Sequence, residues 1–329
     1  MTRTGRRQFL MAAGALLATP LARAQTTEKM RRVAWLTAGS PKSHGGFLQA
    51  FRDGLKERGW VEGRNLAIEA RWAEGHMDRL PPLAAELVRL KPDVIVSAGN
   101  VVHLAVKKET STIPIVMAMG ADPVKAGLVA SLARPGGNVT GLTSFHEETP
   151  IKMLELAASM VPRGARVAVL ADVHIPFYSA RYRAEIERTA KAVGVRPEFI
   201  ETAAPEDASR VLDALRKNPP AALVVLPSSM FLFLGGGLVK SAEAVKVPVI
   251  YPFEELVEAG GLMSYAPPAA DSYRRAAFYV DRILRGAKPG ELPIEQPTRL
   301  SLAINLKAAK AFGIKIPQSV LLRADRVIE

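Results

Sequence analysis

Short apolar runs and helical apolar stripes alternate along the chain from about residue 31. Val33-Ala34-Trp35-Leu36 is a run without a polar break, which is the pattern of a strand buried on both faces. Phe47, Phe51 and Leu55 then recur at every fourth residue, as on one face of a helix. Because strands that alternate with helices are typical of a parallel sheet covered by helices, the pattern predicts an α/β protein.

The alternation occurs twice, which predicts two α/β lobes. In the first half the apolar runs predict strands at 32–38, 66–72, 93–97, 113–119 and 139–144. A helix at 123–134 is predicted between the last two of these strands. In the second half the runs predict strands at 166–171, 197–202, 221–226 and 247–251. No repeat of solenoid length is found, so the similarity is between two whole lobes.

Polar side chains follow many of the predicted strands, where the carboxyl ends of a parallel sheet bind ligands. A ligand held between two lobes needs polar groups from separate loops of both. The candidates in the first half are Ser40, Ser43, His44, Asn100 and Asp122. Those in the second half are His174, Tyr178, Ser228 and Ser229, with Phe253, Glu254 and Tyr265 near a predicted hinge.

Each of these candidates also has a purely structural interpretation. Ser, Asn and Asp are common in turns and helix caps, so Asp122 either pairs with an ammonium group of a ligand or caps a helix that begins at Pro123. Tyr178 and Phe253 either cover an apolar ligand or belong to the core. No arginine stands out as a carboxylate partner, and helix N-termini after Ser40 or Asn100 would suit an anion instead.

Three segments carry a family resemblance. Asp122-Pro123-Val124, residues 127–132 and residues 134–141 closely resemble the ABC-transporter substrate-binding protein family, whose members include tryptophan- and tyrosine-binding proteins. The resemblance covers about residues 31–329. It implies a type I periplasmic-binding-protein fold, an α/β architecture of two doubly wound parallel-sheet lobes joined by a three-segment hinge.

The resemblance also implies the lobe boundaries. Lobe 1 is expected at 30–145 plus 255–285, and it is expected to include a short strand at 260–265. Lobe 2 is expected at 146–254 plus 286–329. The chain is expected to cross between the lobes near His146, Glu255 and Gly286.

The implied function is that of a periplasmic receptor for an ABC importer. It would bind a small molecule between its lobes, with an amino acid or a small carboxylate favoured, and would dock as a monomer on a permease in the inner membrane. No cofactor is expected. A sensor subunit that reports to a membrane receptor would share the fold and differ only in its partner.

The N-terminus resembles an export signal. Arg6-Arg7 precedes an apolar run at 9–21 and the small-residue exit Ala22-Arg23-Ala24, which is the pattern of a twin-arginine signal peptide at 1–24. The apolar run is shorter than the roughly 20 residues that cross a bilayer. The chain has no cysteine, so neither a disulfide nor a lipidated cysteine is expected. These features predict a soluble protein in the periplasm.

The basic charge is not expected to reflect binding of nucleic acid. The net charge falls from +12 to +8 without residues 1–24, which hold four arginines and no acidic residue. The remaining lysines and arginines are scattered along predicted helices, and aromatic residues make up only 6% of the chain. A generally positive, solvated surface is the simpler interpretation.

Histidines also fall at or just after predicted strand ends, namely His44, His103, His146 and His174. Converging imidazoles would indicate a metal site, but these lie on separate loops, and no metal is expected.

Motifs of common enzyme classes are incomplete. The segment 146–150 lacks the second histidine of a zinc protease, and 235–241 lacks the glycine before the lysine of a phosphate-binding loop. An enzyme is therefore not expected. The alternative is an exported hydrolase, which would need Ser228 and His174 within hydrogen-bonding distance.

Overall fold

The computed structural model describes residues 30–144, 149–174 and 180–329, and the strands in these residues form two sheets. The strands are β1 (Arg31–Thr37), β2 (Leu66–Trp72), β3 (Val94–Ala98), β4 (Ile115–Met119), β5 (Val139–Gly141), β6 (Arg166–Asp172), β7 (Arg196–Thr202), β8 (Ala222–Val225), β9 (Val249–Tyr251), β10 (Met263–Ala266), β11 (Ser301–Asn305) and β12 (Arg326–Ile328). They pair in the order β2-β1-β3-β4-β5 in one sheet and β12-β11-β10-β9-β8-β6-β7 in the other. Only β10 and β11, among these described strands, pair antiparallel.

Helices cover both sheets. They are α1 (Pro41–Lys56), α2 (Leu80–Arg89), α3 (Asn100–Glu109), α4 (Thr149–Ala158), α5 (Ala180–Val193), α6 (Asp207–Lys217), α7 (Ser229–Val245), α8 (Glu254–Glu258), α9 (Ala269–Leu284), α10 (Leu306–Phe312) and α11 (Gln318–Leu321). Short 3-10 helices lie at Met77–Arg79 and Pro289–Glu291. We call each sheet with the helices that pack on it a lobe, the five-stranded one being the first. This confirms the predicted α/β fold of two mainly parallel sheets.

The central strands are apolar throughout because both of their faces are covered. Val33, Ala34, Trp35 and Leu36 of β1 are all fully buried or nearly so. One face of β1 packs with Phe51 of α1 and the other with the core under α2. In a strand buried on both faces every apolar side chain stabilises the fold by its burial, so such a strand is a continuous apolar run. This strand could therefore be predicted from the sequence.

Helix α9 belongs to the first lobe although it lies late in the chain. The Tyr273 ring is centred 5.3 Å from Trp35 and stacks on Phe47 at 4.8 Å. Gly54 of α1 allows the two helices to approach closely, because a Cβ at this position would lie 2.6 Å from the Arg274 carbonyl oxygen. The second half of the chain thus completes the core of the first lobe.

The predicted placement of the strand at 260–265 in the first lobe is wrong. β10 pairs with β9 and β11 and is therefore part of the second sheet. The reason is apolar burial, since Met263 is fully buried beside Ile250 and Ile304 in the core of the second lobe. The second crossing between lobes therefore follows Ala266, not Glu255.

The third crossing also lies later than predicted. After Gly286 the chain stays on the first sheet, where Glu295 N donates to the Gly141 carbonyl at 3.0 Å and Thr143 N donates to the Glu295 carbonyl at 2.9 Å. Ile294 is buried in the core of the first lobe. The crossing therefore lies between Glu295 and β11. The predicted first crossing near His146 lies outside the described residues, as does the predicted signal at 1–24.

The predicted helix at 123–134 is not formed. Asp122 accepts hydrogen bonds at Oδ1 from Val124 N and Lys125 N and caps a single turn. Gly127 then has a φ of +68°, a left-handed conformation that ends the turn. Leu128 and Val129 point into the core, so the apolar residues that suggested a helix are buried by an irregular segment.

None of the helices in 30–144, 149–174 and 180–329 has both the length and the apolar character that a membrane-crossing helix needs.

Candidate ligand site

A cavity with an empty volume of about 910 Å³, part of it open to solvent, is lined by residues of both lobes. Its wall includes residues that end or follow β3, β4, β8 and β9, namely Ala98, Met119, Pro227 and Pro252. The cavity therefore lies at the carboxyl ends of the strands, where parallel sheets bind ligands.

Aromatic and apolar side chains form much of this wall. Phe47 of α1 and Tyr273 of α9 are stacked with an interplanar angle of 12°. Phe253, which precedes α8, and Leu232 of α7 line the cavity from the second lobe. The first lobe thus offers a flat ring pair, and the second lobe faces it with apolar side chains.

Asn100 begins helix α3 and is 5% exposed. Its Oδ1 accepts a hydrogen bond from Ala121 N at 2.8 Å, whereas its Nδ2 has no partner among the described residues. Gly120 leaves room for this arrangement, because a Cβ there would lie 2.9 Å from Asn100 Oδ1 and 2.8 Å from His103 Nε2. A buried amide nitrogen without a partner costs about 1 to 3 kcal/mol, so it calls for a ligand or a water.

Thr149 is the corresponding residue of the second lobe. It begins helix α4, lines the cavity and is 3% exposed. Its Oγ1 has no partner within the described ranges. Each lobe therefore contributes one buried, unpaired hydrogen-bonding group to the wall of the same cavity.

Two histidines of the first lobe are buried and neutral. Burial lowers the pKa of His44 to about 4, and Ser43 Oγ lies 2.8 Å from its Nδ1. Burial likewise lowers the pKa of His103 to about 4. His103 Nε2 donates to the Met119 carbonyl at 2.8 Å, so its Nδ1 accepts from Ser97 Oγ at 2.7 Å. His103 thereby ties β3, α3 and β4 together behind Asn100.

The predicted histidine positions do not produce a recognisable metal centre in the described part of the chain. There, His, Asp and Glu side chains form no group of three or more that could hold an ion. His146 lies outside the described residues.

Ser228 and His174 share a buried carboxylate and do not form a catalytic pair. Ser228 Oγ donates to Asp172 Oδ2 at 2.6 Å, and His174 Nδ1 lies 3.0 Å from Asp172 Oδ1. Ser228 Oγ also accepts from Met230 N as the cap of α7. A nucleophilic serine needs the histidine between itself and the carboxylate. Here the carboxylate lies between the two, so the arrangement does not support the hydrolase alternative.

Comparisons with known proteins agree with this geometry. The model of the ABC transporter substrate binding protein family matches residues 41–328. The chain belongs to this family.

Two proteins similar to this substrate-binding protein are described with an aromatic amino acid as ligand. The chain is 26% identical over 284 residues to a tyrosine-binding protein of Clostridioides difficile, with 83% of this chain and 77% of the relative covered. It is 25% identical to a Streptococcus pneumoniae domain crystallised with L-Trp, with a TM-score of 0.81 and coverage of 91% and 100%. A conserved domain protein of Vibrio cholerae is 28% identical, with a TM-score of 0.82 and the same coverage.

The structure places the sequence candidates in three groups. Those that line the cavity are His44, Asn100, Ser228, Ser229 and Phe253. Those that lie outside its wall are Ser40, Ser43, Asp122, His174, Glu254 and Tyr265. Tyr178 lies outside the described residues.

The residues outside the wall have structural partners. Ser40 and Ser43 form a capping box at the start of α1, and Asp122 caps its turn, which was the alternative left open for it. Glu254 accepts a hydrogen bond from Arg326, and Tyr265 packs on the core of the second lobe. Their roles as ligand contacts remain predictions.

Sequence reasoning missed Phe47, Thr149 and Tyr273. Phe47 was assigned to the core stripe of its helix, and it is both core and wall. Thr149 stands directly before Pro150, a residue type that suits the first position of a helix, and this cap position was its only signal. No local sequence pattern identifies Tyr273 as a residue of the cavity wall. It reaches the cavity only because the chain crosses back to the first lobe before α9.

Proposed function

We propose that the protein is the exported solute-binding receptor of an ABC importer, acting as a monomer, with its ligand site in the cavity between the lobes. The observation that carries this proposal is the pair of unpaired, buried polar groups, Asn100 Nδ2 and Thr149 Oγ1, which come from different lobes. A ligand that satisfies both groups binds the closed arrangement of the lobes better than an open one. It therefore shifts the protein toward the form that docks on the permease.

The ligand we propose is a small amino acid or carboxylate with an apolar body. Support comes from the stacked Phe47 and Tyr273 rings and from the relatives that bind tryptophan and tyrosine. Rings of this kind favour a flat hydrophobic group, while the polar groups orient it.

Export is part of the proposal. We expect cleavage after Ala24 and release into the periplasm. The test is N-terminal sequencing of the protein from periplasmic fractions, beside a variant in which Arg6 and Arg7 are both changed to lysine. Export of this variant at the wild-type level would contradict the twin-arginine route.

Binding is tested by thermal-shift screening and calorimetry with amino acids, aromatic and aliphatic acids, sugars and polyols. We expect saturable one-to-one binding without chemical change of the ligand. Ser229→Trp, at a partly exposed position of the cavity wall, should fill the cavity and abolish binding. Ser319→Trp makes the same change on the exposed surface of α11 and should leave binding intact. A broad library without a hit on the folded wild-type protein would refute the receptor function.

A further inference from the structure

The described wall of the cavity carries no charged side chain. Lysine, arginine, aspartate and glutamate are all absent from the described residues that line it. Its histidine, His44, is 1% exposed and neutral, since burial lowers its pKa to about 4. The described residues of this wall can therefore match a charged ligand by hydrogen bonds and helix ends.

Two carbonyl acceptors of the first-lobe wall are already used. The Met119 carbonyl accepts from Gly99 N and from His103 Nε2, both at 2.8 Å. The Gly120 carbonyl accepts from Thr143 Oγ1 and from Ser144 N, both also at 2.8 Å. Each carbonyl has two lone pairs, so both are saturated.

Two side-chain acceptors of the cavity wall are similarly engaged. Asn100 Oδ1 is held by Ala121 N, and Ser228 Oγ both accepts from Met230 N and donates to Asp172. An ammonium group brings three N–H donors and no acceptor. Burying it against these groups would leave donors unpaired, which is costly.

The free groups are suited to the opposite ligand. Asn100 Nδ2 can only donate, and the Thr149 hydroxyl, which can also accept, can donate to a carboxylate oxygen. Both residues stand at the first position of ten-residue helices, α3 and α4, and Ser229 of the wall begins α7. Helix N-termini carry partial positive charge that stabilises an anion. The wall therefore offers donors and positive potential together.

We propose that the ligand is an organic carboxylate with a flat apolar body and no ammonium group beside the carboxylate. Asn100 Nδ2 and Thr149 Oγ1 donate to the carboxylate oxygens, and the body lies against Phe47, Tyr273 and Phe253. The proposal narrows the receptor function given above and depends on it. It excludes the zwitterionic amino acids as the best ligands.

The test compares matched compounds by calorimetry near neutral pH. Hydrocinnamate is paired with phenylalanine, phloretate with tyrosine and indolepropionate with tryptophan, and each acid is also paired with its neutral amide. We expect at least one acid to bind about 10-fold or more tightly than its amino acid and its amide. A difference of this size corresponds to the loss of about one charge-assisted hydrogen bond between the ligand and the cavity wall.

Each other outcome overturns the proposal. An amino acid or an amide that binds as tightly as its acid refutes the carboxylate class but leaves the receptor function standing. Binding of sugars or polyols alone would also refute the carboxylate class and leave the receptor function standing. Absence of binding by every compound of the broad library refutes both proposals.

Variants locate the carboxylate. Thr149→Val removes the hydroxyl with little change of shape, whereas Thr149→Ser keeps it. Asn100→Asp keeps the acceptor for Ala121 N and replaces the free donor with an oxygen. We expect Thr149→Val and Asn100→Asp to weaken binding of the acid about 10-fold to about 100-fold and Thr149→Ser to stay near wild type.

The ratio of affinities adds a readout that a structural defect would not give. Asn100→Asp places a negative charge in the cavity, so it should move the preference from the acid toward the matched amino acid. Circular dichroism and thermal unfolding report whether each variant folds. If Asn100→Asp does not fold, the comparison of Thr149→Val with Thr149→Ser carries the test of the contact. Wild-type affinity of Thr149→Val for the acid would overturn the proposed contact.

Discussion

Gly75 offers a test of lobe closure that does not touch the ligand. It follows β2 of the first lobe with a φ of +84°, and its neighbours are side chains of the second lobe. A Cβ at this position would lie 2.6 Å from Pro205 Cγ and 2.8 Å from Phe233 Cδ1. A methyl group at Gly75 would therefore hold the lobes apart.

The effect of Gly75→Ala has two parts. The left-handed backbone costs an alanine about 1 to 2 kcal/mol wherever it occurs. Gly63→Ala is the matched control, because Gly63 has a φ of +82° and a Cβ added there would meet nothing within 4 Å. The overlap with Pro205 and Phe233 costs about 1 to 3 kcal/mol more, and only while the lobes are in contact. Ligand affinity should therefore fall about 5-fold to about 150-fold in Gly75→Ala alone.

Calorimetry with the tightest ligand found for wild type measures the affinities, and small-angle scattering with that ligand measures compactness. Urea unfolding of both variants without ligand reports the common backbone cost. Equal affinities for Gly75→Ala and Gly63→Ala would refute the view that this contact forms on closure.

Three further predictions concern buried ionisable groups. Burial raises the pKa of Glu255 from 4.5 to about 7, so wild type loses stability as the pH rises between these values, whereas Glu255→Gln does not titrate. The unfolding free energy of Glu255→Gln should therefore gain about 3 kcal/mol on that of wild type between about pH 4.5 and pH 7. Burial lowers the pKa values of His44 and His103 from 6.5 to about 4. The contribution of each neutral, buried imidazole to the free energy of unfolding is therefore fully present above about pH 6.5. About 3 kcal/mol of it per histidine should be lost as the pH falls from 6.5 through 4. Asp172→Asn should destabilise the protein by about 1 to 3 kcal/mol, because an amide keeps only one of two acceptor oxygens. Urea unfolding over a pH series measures all three.

The controls follow from the same series. A difference in unfolding free energy between wild type and Glu255→Gln that does not change with pH would contradict the raised pKa of Glu255. The histidine effect is best measured in the Glu255→Gln background, where the opposing titration of that carboxyl is removed. There, a stability that does not fall on acidification from pH 6.5 would contradict buried, neutral histidines. Wild-type stability of Asp172→Asn would show that the buried carboxylate has no structural role.

The buried strands could be predicted because their pattern reflects their surroundings. β1, β3 and β4 are covered on both faces, and each contains an uninterrupted run of apolar residues in the sequence. The segment 123–134 has a similar density of apolar residues. It is irregular because Gly127 ends its first turn, and the burial of Leu128 and Val129 depends on the first-lobe core.

The candidate site was predictable only where it follows strands. Asn100, Ser228 and Phe253 reach the cavity wall because the carboxyl ends of parallel strands meet there. Tyr273 reaches it through the return of α9 to the first lobe, which depends on the lobe crossings. Those crossings were misplaced, because the short strand β10 carries no mark of which sheet it joins.

A crystal structure of the protein with its tightest carboxylate ligand would show directly where the ligand lies. We expect one ligand molecule enclosed by both lobes, with its carboxylate oxygens within hydrogen-bonding distance of Asn100 Nδ2 and Thr149 Oγ1. A ligand bound outside this cavity, or held by one lobe alone, would contradict this expectation.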